Sequence, residues 1–379
     1  MRCTLIHTQT IGGHQLEYLH HIYMGALKRS EEQFVFVVPQ RFEKDSSRLE
    51  WPASNNTKIV VMEGDDEPPV NCSIFRKGWI NSRTIRKYCK RYHVTDVLTI
   101  SIMEYLPYLP FLLKNVRFSG IVYRIYLYEW KEEHYSKRFQ DVMKYWMMSK
   151  FKVFYRVYIC NDSSSTQCLN KIFKTDKFRM LPDPVASIQN YKGRNVKDKL
   201  GIARDKKVLL HPGGMNGYKN TIGILRALDM LDDESRNGIA VIFAGQIDSG
   251  IREEFNRLYQ EVCKKVQLIL FEGYLPFEQL ADLFSTCDFV LVPYNVKSQS
   301  SGIVGHAAYY GKPVIAMEGG VIGKMVRKWH LGKLLYRSSE VSLYQFLCSL
   351  RNTDVYDTNG NGYLDCHSID LFNKTLLDS

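Results

Sequence analysis

The segment SSGIVGHAAYYGKPVI, residues 300–315, has the composition of a loop that leads into the N-terminus of a helix. Gly302 stands where the loop would become helical, and Gly311 with Pro313 ends the helix before a β-branched pair. The first turn of a helix carries unpaired N–H groups and a partial positive charge, so it favours a bound anion. The pattern predicts an anion site at this loop, which contains Ser300, Ser301, Gly302 and Ile303.

Three further loops in the same half of the chain follow β-rich runs and contain glycine. Their candidate residues are Gly213, Gly214, Lys219, Gly245, Tyr274 and Leu275. Each glycine taken alone is more often a turn than a ligand site. In a doubly wound sheet, however, ligands bind outside the carboxyl ends of the strands, where these loops would converge. We therefore predict one phosphate-sized site, with the Lys219 ammonium as a fixed positive charge.

Short β-rich runs alternate with segments of helical period along the whole chain. The predicted strands are residues 4–7, 34–38, 58–62, 97–101, 121–126, 157–160, 208–211, 240–244, 267–270, 289–292, 314–315 and 333–335. This alternation indicates parallel sheets covered by helices on both faces, and twelve strands are too many for one small sheet. We predict an α/β protein with two Rossmann-like, doubly wound domains.

The domain boundary is predicted from LPDPVASIQNYKGRNVKDKLGI, residues 181–202, which combines two prolines, Gly193 and a polar run. The domains are expected at residues 1–188 and 189–365, and residues 366–379 are expected to pack back onto the first. Each predicted domain opens with a strand, a Gly-Gly turn and an amphipathic helix, in TLIHTQTIGGHQLEYLHHI and in VLLHPGGMNGYKNTIGILRAL.

Composition limits the class of protein. The 379 residues include nine cysteines and no C-x-x-C pair, which is typical of buried thiols in a reducing compartment. The start, MRCTLIHTQTIGG, lacks the apolar core of a secretory signal, and the most apolar stretch, residues 97–113, contains Glu104 and two prolines. These features predict a cytoplasmic protein with no membrane span.

The net charge of +11 is concentrated in two segments. Residues 76–93 hold seven basic residues and no acidic one, and residues 131–156 hold seven basic and three acidic residues among seven aromatic ones. Asn81 or Ser82 is expected to cap a helix in the first segment. The outer face of that helix would carry Arg83, Arg86, Lys87, Lys90 and Arg91. Two solvated helix faces, an anionic membrane at the inner face of the cell, or an acidic partner would each fit. Nucleic acid is not expected, because no nucleic-acid-binding motif accompanies the charge.

The segment DTNGNGYLDCHS, residues 357–368, follows the calcium-loop pattern at most positions. Position twelve, which should be a bidentate carboxylate, is Ser368. We therefore predict a polar turn there and no metal site.

The order of several motifs resembles the GT-B glycosyltransferases, in particular the retaining family 4. The segments that carry the resemblance are GGMNGYKN, FAGQ, FEGYLPFEQLADLFSTCDFVLVPY and SSGIVGHAAYYGKPVI, and Gly12-Gly13 in IGGHQLEYL resembles the family's N-terminal glycine turn facing the donor. The resemblance implies a nucleoside-diphosphate sugar as donor, whose diphosphate would be the predicted anion. It also implies a saccharide or lipid-linked acceptor and no metal cofactor.

Several positions depart from the family pattern. Gly214 replaces an arginine, Ser298 and His306 replace the two glutamates of E-x7-E, and the catalytic histidine expected near residues 120–130 has no counterpart. A histidine can still hydrogen-bond a ribose hydroxyl, so Ser298 and His306 are carried over as expected donor contacts. The departures leave two alternatives to a transferase, which are a non-catalytic sugar-nucleotide or glycan-binding module and a GT-B epimerase.

Retaining transfer requires a stabilised leaving diphosphate and an acceptor hydroxyl held close to the anomeric carbon. We expect Lys219 and the helix that begins near Gly302 to stabilise the leaving group. Glu104, Glu129 and Asp162 lie near the ends of predicted strands and could orient or deprotonate the acceptor. An ordinary helix cap or surface carboxylate is the alternative interpretation of each.

Overall fold

A computed structural model describes residues 2–11, 14–185, 191–336, 340–350 and 358–378. The chain forms two compact units, of which the first comprises Met1–Pro182 with Ile369–Ser379 and the second comprises Asp183–Ser368. The structure thus divides the chain at Pro182, within the proline-flanked segment and slightly before the predicted boundary at residue 188.

The first unit contains a seven-stranded sheet in the order β3-β2-β1-β4-β5-β6-β7, with every neighbouring pair parallel. Its strands are β1 (Cys3–His7), β2 (Gln33–Val38), β3 (Thr57–Val61), β4 (Asp96–Thr99), β5 (Arg117–Val122), β6 (Phe154–Cys160) and β7 (Phe178–Leu181). The sequence analysis missed β7 because exposed side chains fill the middle of this short edge strand. The strand predicted at residues 121–126 was also placed too late in the chain, because β5 ends at Val122 and a 3-10 segment follows at Tyr126–Tyr128.

The helices of this unit are α1 (His14–Leu27), α2 (Phe42–Asp45), α3 (Ile74–Arg91), α4 (Leu109–Leu112), α5 (Tyr135–Lys150) and α6 (Ser163–Phe173). After β3 the chain crosses to β4 on the other side of β1, and β5, β6 and β7 are then added in the same direction. Because parallel crossovers are right-handed, α3, α4 and α5 share one face of the sheet, and α1 covers the other. Contacts between α3 and α4 agree with this arrangement.

The predicted cap of α3 is wrong. The helix begins at Ile74, and the Ser73 side chain accepts the Arg76 N–H at its N-terminus. Asn81 and Ser82 are buried within the helix instead. Asn81 donates to the Glu104 carbonyl and Ser82 donates to the Tyr105 carbonyl, both at 2.9 Å. These two side chains therefore fix the segment after β4 and do not cap a helix.

The second unit contains a six-stranded parallel sheet in the order β10-β9-β8-β11-β12-β13. Its strands are β8 (Lys207–Pro212), β9 (Ile239–Gly245), β10 (Gln267–Glu272), β11 (Phe289–Val292), β12 (Val314–Met317) and β13 (Gly332–Leu335). Its helices are α7 (Thr221–Asp229), α8 (Asp233–Asn237), α9 (Arg252–Val262), α10 (Phe277–Thr286), α11 (Gly302–Tyr309), α12 (Gly320–Trp329), α13 (Glu340–Ser349) and α14 (Gly360–Asp365). The predicted α/β fold with two parallel-sheet units is confirmed.

The last helix, α15 (Ile369–Leu377), returns to the first unit. Its Phe372 is fully buried and packs on Tyr18 of α1, with the ring centroids 5.0 Å apart. The C-terminal helix therefore completes the core on the α1 face of the first sheet.

The calcium-like segment is not the predicted polar turn. Residues 360–365 form α14, which Asn359 caps through the Gly362 N–H, while Asp357 lies outside the described residues. Across the described ranges, no group of three or more His, Cys, Asp or Glu side chains could hold a metal ion. None of the described helices has both the length and the apolar character needed to cross a bilayer.

Candidate functional site

The second sheet has a topological switch point between β8 and β11. From β8 the strand order continues to β9 and β10 on one side, whereas from β11 it continues to β12 and β13 on the other. The loops that follow β8 and β11 therefore diverge and leave a crevice at the carboxyl edge, where open α/β sheets bind ligands. Residues 213–220 and 293–301 form these two loops.

Lys219 folds back over the loop after β8. Its Nζ donates to the Pro212 carbonyl at 3.5 Å and would lie 2.5 Å from a Cβ placed on Gly213. The same Nζ lies 5.4 Å from the centroid of the Tyr294 ring, and Asn216 Oδ1 accepts the Lys219 N–H at 3.0 Å. No carboxylate pairs with Lys219 in the part of the chain that the structure describes, so its charge is available to an anion.

The glycines at the ends of β8, β9 and β10 contact one another. The Gly213 N–H donates to the Ala244 carbonyl at 2.8 Å, and the Gly273 N–H donates to the Gly245 carbonyl at 3.1 Å. Gly213, Gly245 and Gly273 all have positive φ, and a Cβ on Gly245 would overlap the Gly213 carbonyl. Only glycine fits this close approach of two strand ends. The structure thus brings three of the predicted loops together.

The N-terminus of α11 opens onto the same crevice. Its N-cap, Ser301, has an extended backbone and makes no side-chain capping bond, and a Cβ on Gly302 would meet no described atom within 4 Å. Ile303 Cδ1 would lie 3.8 Å from a Cβ on Gly213, which places the first turn of the helix beside the Lys219 loop. The helix end and the ammonium group can therefore act on one anion.

The remaining predicted donor residues differ in exposure. Tyr274 is exposed and Leu275 is half-buried, beyond Gly273. Ser300 donates to Asp183 at 3.2 Å and so anchors the loop that precedes α11. Ser298 is fully buried, so its side chain is not accessible to a bound nucleotide sugar. Gly214 is exposed on the rim, and the predicted Gly12-Gly13 turn lies outside the described residues.

His306 lies on α11 against the ring of Phe284 in α10, with the centroids 5.7 Å apart. Burial lowers the pKa of His306 to about 4, so the ring is neutral at neutral pH. A neutral imidazole can hydrogen-bond one hydroxyl but cannot supply the charged oxygens of a carboxylate.

His211 and Tyr294 are site residues that the sequence analysis did not select. Both lie at the carboxyl ends of strands, so the rule that found Lys219 could have found them. The His211 Nδ1–H donates to the Leu291 carbonyl at 3.0 Å, and Nε2 faces the Thr221 hydroxyl at 3.1 Å. Burial lowers the pKa of His211 to about 4 despite the Leu291 hydrogen bond, and the Lys219 charge adds to this effect. The neutral ring joins β8, β11 and α7.

His211 should make stability depend on pH. Its pKa is about 4 in the folded chain and about 6.5 when unfolded, so the unfolded chain binds more protons between those values. We expect the free energy of unfolding to fall as pH drops through this window, by at most about 1.4 kcal/mol per pH unit for this group. Urea unfolding at several pH values should show a shallower dependence for His211→Asn. His93→Asn, at an exposed left-handed position, should keep the wild-type dependence, and equal slopes for both variants would contradict the assignment.

The first sheet has its own switch point, between β1 and β4. Glu104 follows β4 in the 3-10 segment Ile102–Tyr105, and its carboxylate lies 3.4 Å from the Lys77 ammonium. Burial raises the pKa of Glu104, and Lys77 offsets part of that rise. The neighbouring Tyr105 hydroxyl hydrogen-bonds the His7 ring at the end of β1, so the two diverging loops are joined beside Glu104.

Glu129 and Asp162 follow β5 and β6, the next two strands along the same edge. Arg124 Nε donates to Glu129 at 2.6 Å. Asp162 is buried and caps α6 by accepting the Ser165 N–H at 2.9 Å, and it also accepts the Tyr128 hydroxyl. Burial alone would raise the pKa of Asp162, but these hydrogen bonds outweigh it and hold the pKa below its usual value. The three predicted carboxylates share one edge, yet each has its own partner.

The cap at Asp162 should be measurable as stability. Asp162→Ala is expected to lower the free energy of unfolding by about 2 kcal/mol, because the cap is lost and buried hydroxyl groups lose their acceptor. Urea unfolding is the measurement. The matched control is Asp176→Ala, which removes a carboxylate whose side chain is 76% exposed. A loss at Asp162 no larger than that of the control would argue against the capping role.

Comparison with known proteins identifies similar sequences and folds. The model of the family described as Glycosyl transferases group 1 matches residues 193–343. Similar solved structures include WaaG, a glycosyltransferase involved in lipopolysaccharide biosynthesis, with 13% identity, a TM-score of 0.71, and coverage of 99% of this chain and 98% of that one. Sucrose-phosphate synthase from Thermosynechococcus elongatus has 13% identity, a TM-score of 0.76, and coverage of 100% and 98%. HepE from Anabaena, solved with UDP and glucose, has 13% identity, a TM-score of 0.66, and coverage of 100% and 99%. No curated protein sequence matches the chain.

Proposed function

We propose that this chain is a glycosyltransferase that uses a nucleoside-diphosphate sugar as donor. Two findings support this: residues 193–343 match the model described as Glycosyl transferases group 1, and the fold is that of solved glycosyltransferases. The sugar passes, with retention, to a saccharide or lipid-linked acceptor in the synthesis of a cell-surface polysaccharide or glycoconjugate. The observation that carries the proposal is the pairing of the Lys219 ammonium with the open N-terminus of α11 at one switch point. The UDP and UDP-glucose complexes of HepE support a donor of this class.

In this proposal the second unit stabilises the leaving group. Negative charge grows on the diphosphate as the bond to the anomeric carbon breaks. The Lys219 ammonium and the first N–H groups of α11 face that charge. The lysine is held in place beforehand, because its backbone N–H donates to Asn216 and its ammonium donates to the Pro212 carbonyl. Preorganised donors of this kind lower the barrier because they need no reorientation during the reaction. The proposed mechanism uses no metal or other cofactor.

In the first unit, Glu104 is the preferred candidate to orient or deprotonate the acceptor hydroxyl. It lies at the switch point of its sheet, and its raised pKa brings the carboxylate closer to neutral pH, where a general base is most effective. The partners of Asp162 and Glu129 give those two residues structural roles first, so they rank below Glu104.

A thermal-shift screen across UDP, GDP, ADP and CMP sugars tests the donor. We expect sugars of one nucleoside diphosphate to raise the melting temperature, and CMP sugars, which lack a second phosphate, to have a weaker effect. The donor identified in this way should then release free nucleotide in the presence of an acceptor mixture. The absence of a shift with every diphosphate sugar would count against the proposal.

We also propose that the enzyme works in the cytoplasm, at the inner face of an anionic membrane. Part of the predicted basic face of α3 is internally paired, because Arg83 donates to the Asp65 carbonyl at 3.0 Å and Lys87 and Arg91 contact Glu63. Arg86 and Lys90 are exposed on the same helix, and no ion pair to them occurs within the described ranges. Of the predicted basic face, Arg86 and Lys90 therefore remain available to lipid phosphates.

A further inference from the structure

The outer surface of α4 and α5 exposes large apolar side chains. We use the name aromatic ridge for Phe111, Tyr135, Phe139, Met143 and Trp146. Tyr135 is 79% exposed, Phe139 is 67% exposed and Phe111 is 63% exposed. Single exposed apolar residues are ordinary on a protein surface, but a contiguous set marks a place of interaction.

The ridge is continuous. On α5 its members follow the spacing i, i+4, i+8 and i+11, so they form one stripe along the helix, while Tyr145 and Met148 on the opposite side are buried. Phe151 then joins the two helices. Its ring lies edge-on to Trp146, with the centroids 6.0 Å apart, and to Phe111, with the centroids 5.4 Å apart.

Basic residues border this ridge. A cleft of about 640 Å³ opens between the loops that follow α4 and α5, and its lining includes Lys114, Arg117, Lys150 and Lys152 but no acidic side chain among the described residues. On α5 itself, four basic residues accompany a single acidic one. Arg117 is paired with Asp96, whereas the nearby Glu129 and Glu133 are bound to Arg124 and do not neutralise Lys114 and Lys152.

We propose that the aromatic ridge docks on the headgroup region of an anionic bilayer, with Lys114 and Lys152 of the cleft on lipid phosphates. Tyr and Trp favour the membrane interface, and basic side chains beside an apolar stripe are typical of helices that lie in the interface plane. A second copy of the chain is a poorer occupant, because it would bring lysines against lysines. The inference extends the membrane location in the proposed function and depends on it.

The aromatic ridge lies on the same face of the first sheet as α3. Right-handed crossovers place α3, α4 and α5 on one face of the sheet. Trp79 of α3, also exposed, lies edge-on to Tyr108 at the start of α4, with the ring centroids 5.5 Å apart. The ridge therefore continues onto the helix that carries Arg86 and Lys90.

Co-sedimentation with vesicles tests the ridge. The probes are vesicles of phosphatidylcholine alone and vesicles with about one-third phosphatidylglycerol. Wild type should sediment with the anionic vesicles, and the double variant Tyr135→Ser/Phe139→Ser should bind them about tenfold more weakly. Lys114→Glu/Lys152→Glu should lose binding most at low salt, since screening already weakens the charge contribution at high salt. Tyr336→Ser, which removes an equally exposed aromatic ring of the second unit, is the matched control and should bind as wild type.

Melting temperatures equal to wild type should show that the variants are folded, as expected for exposed positions. The proposal is overturned if wild type does not sediment with anionic vesicles, or if it sediments equally well with phosphatidylcholine alone. It is also overturned if the folded Tyr135→Ser/Phe139→Ser variant binds anionic vesicles as tightly as wild type. The donor-induced thermal shift is measured on the same samples and distinguishes the two proposals. Vesicle binding without any donor shift would remove the donor proposal and leave the ridge, and the reverse result would remove the ridge alone.

Discussion

Replacing Lys219 by alanine is expected to weaken binding of the nucleotide-sugar donor by about 1.5 to 3 kcal/mol, the range for hydrogen bonds to charged groups. The reason is local. The ammonium has no carboxylate partner in the described part of the chain, and it lies above Gly213 beside the start of α11. Gly214 occupies the position where the family resemblance expects an arginine, so that second positive charge is missing from the loop of Lys219.

Isothermal titration with the donor found by the thermal-shift screen measures this effect. Lys264→Ala, at an exposed position after α9, is the matched control and should bind the donor as wild type does. The Lys219 variant should unfold at nearly the wild-type temperature, because within the described ranges the removed ammonium makes a single long hydrogen bond, to Pro212. A folded Lys219→Ala protein with unchanged affinity would remove the lysine from the donor site.

Gly245→Ala should be the most destabilising single substitution in the site, with a loss of about 4 kcal/mol in the free energy of unfolding. The backbone of Gly245 has a φ of 153°, where a side chain is strained, and the added Cβ would overlap the Gly213 carbonyl. The ends of β8 and β9 would then have to separate, which would also displace Lys219. Urea unfolding should show the loss directly.

Gly302 provides the contrast to Gly245. Its φ is not in the left-handed region and no described atom lies within 4 Å of an added Cβ, so Gly302→Ala should change stability by less than about 1 kcal/mol. Gly302→Val fills the space in front of the first turn of α11, so it should lower donor affinity more than it lowers the melting temperature. Loss of the fold in Gly302→Val would mean that this glycine is structural.

The sequence by itself determined the architecture and the edges of the sheets where ligands would bind. Buried parallel strands have continuous apolar runs, and helices have a different period, so local patterns were sufficient to predict two doubly wound units. The rule for carboxyl ends of strands then selected Lys219, Gly213 and Gly245, which the structure brings together. The sequence also predicted that the long basic segment is helical, although the predicted N-cap, Asn81 or Ser82, lies within α3, which begins at Ile74.

Tertiary structure alone decided which side chains are available for chemistry. Lys87 is paired with Asp66, Asp162 with Tyr128, and Tyr294 lies beside Lys219, and each pair joins residues far apart in the chain. Local periodicity carries no information about such contacts, because they depend on strand order and on how loops from different strands meet. For the same reason a carboxylate that caps a helix and one that faces a substrate look alike in the sequence. The aromatic ridge likewise became visible only when packing showed which side of α5 the sheet leaves exposed.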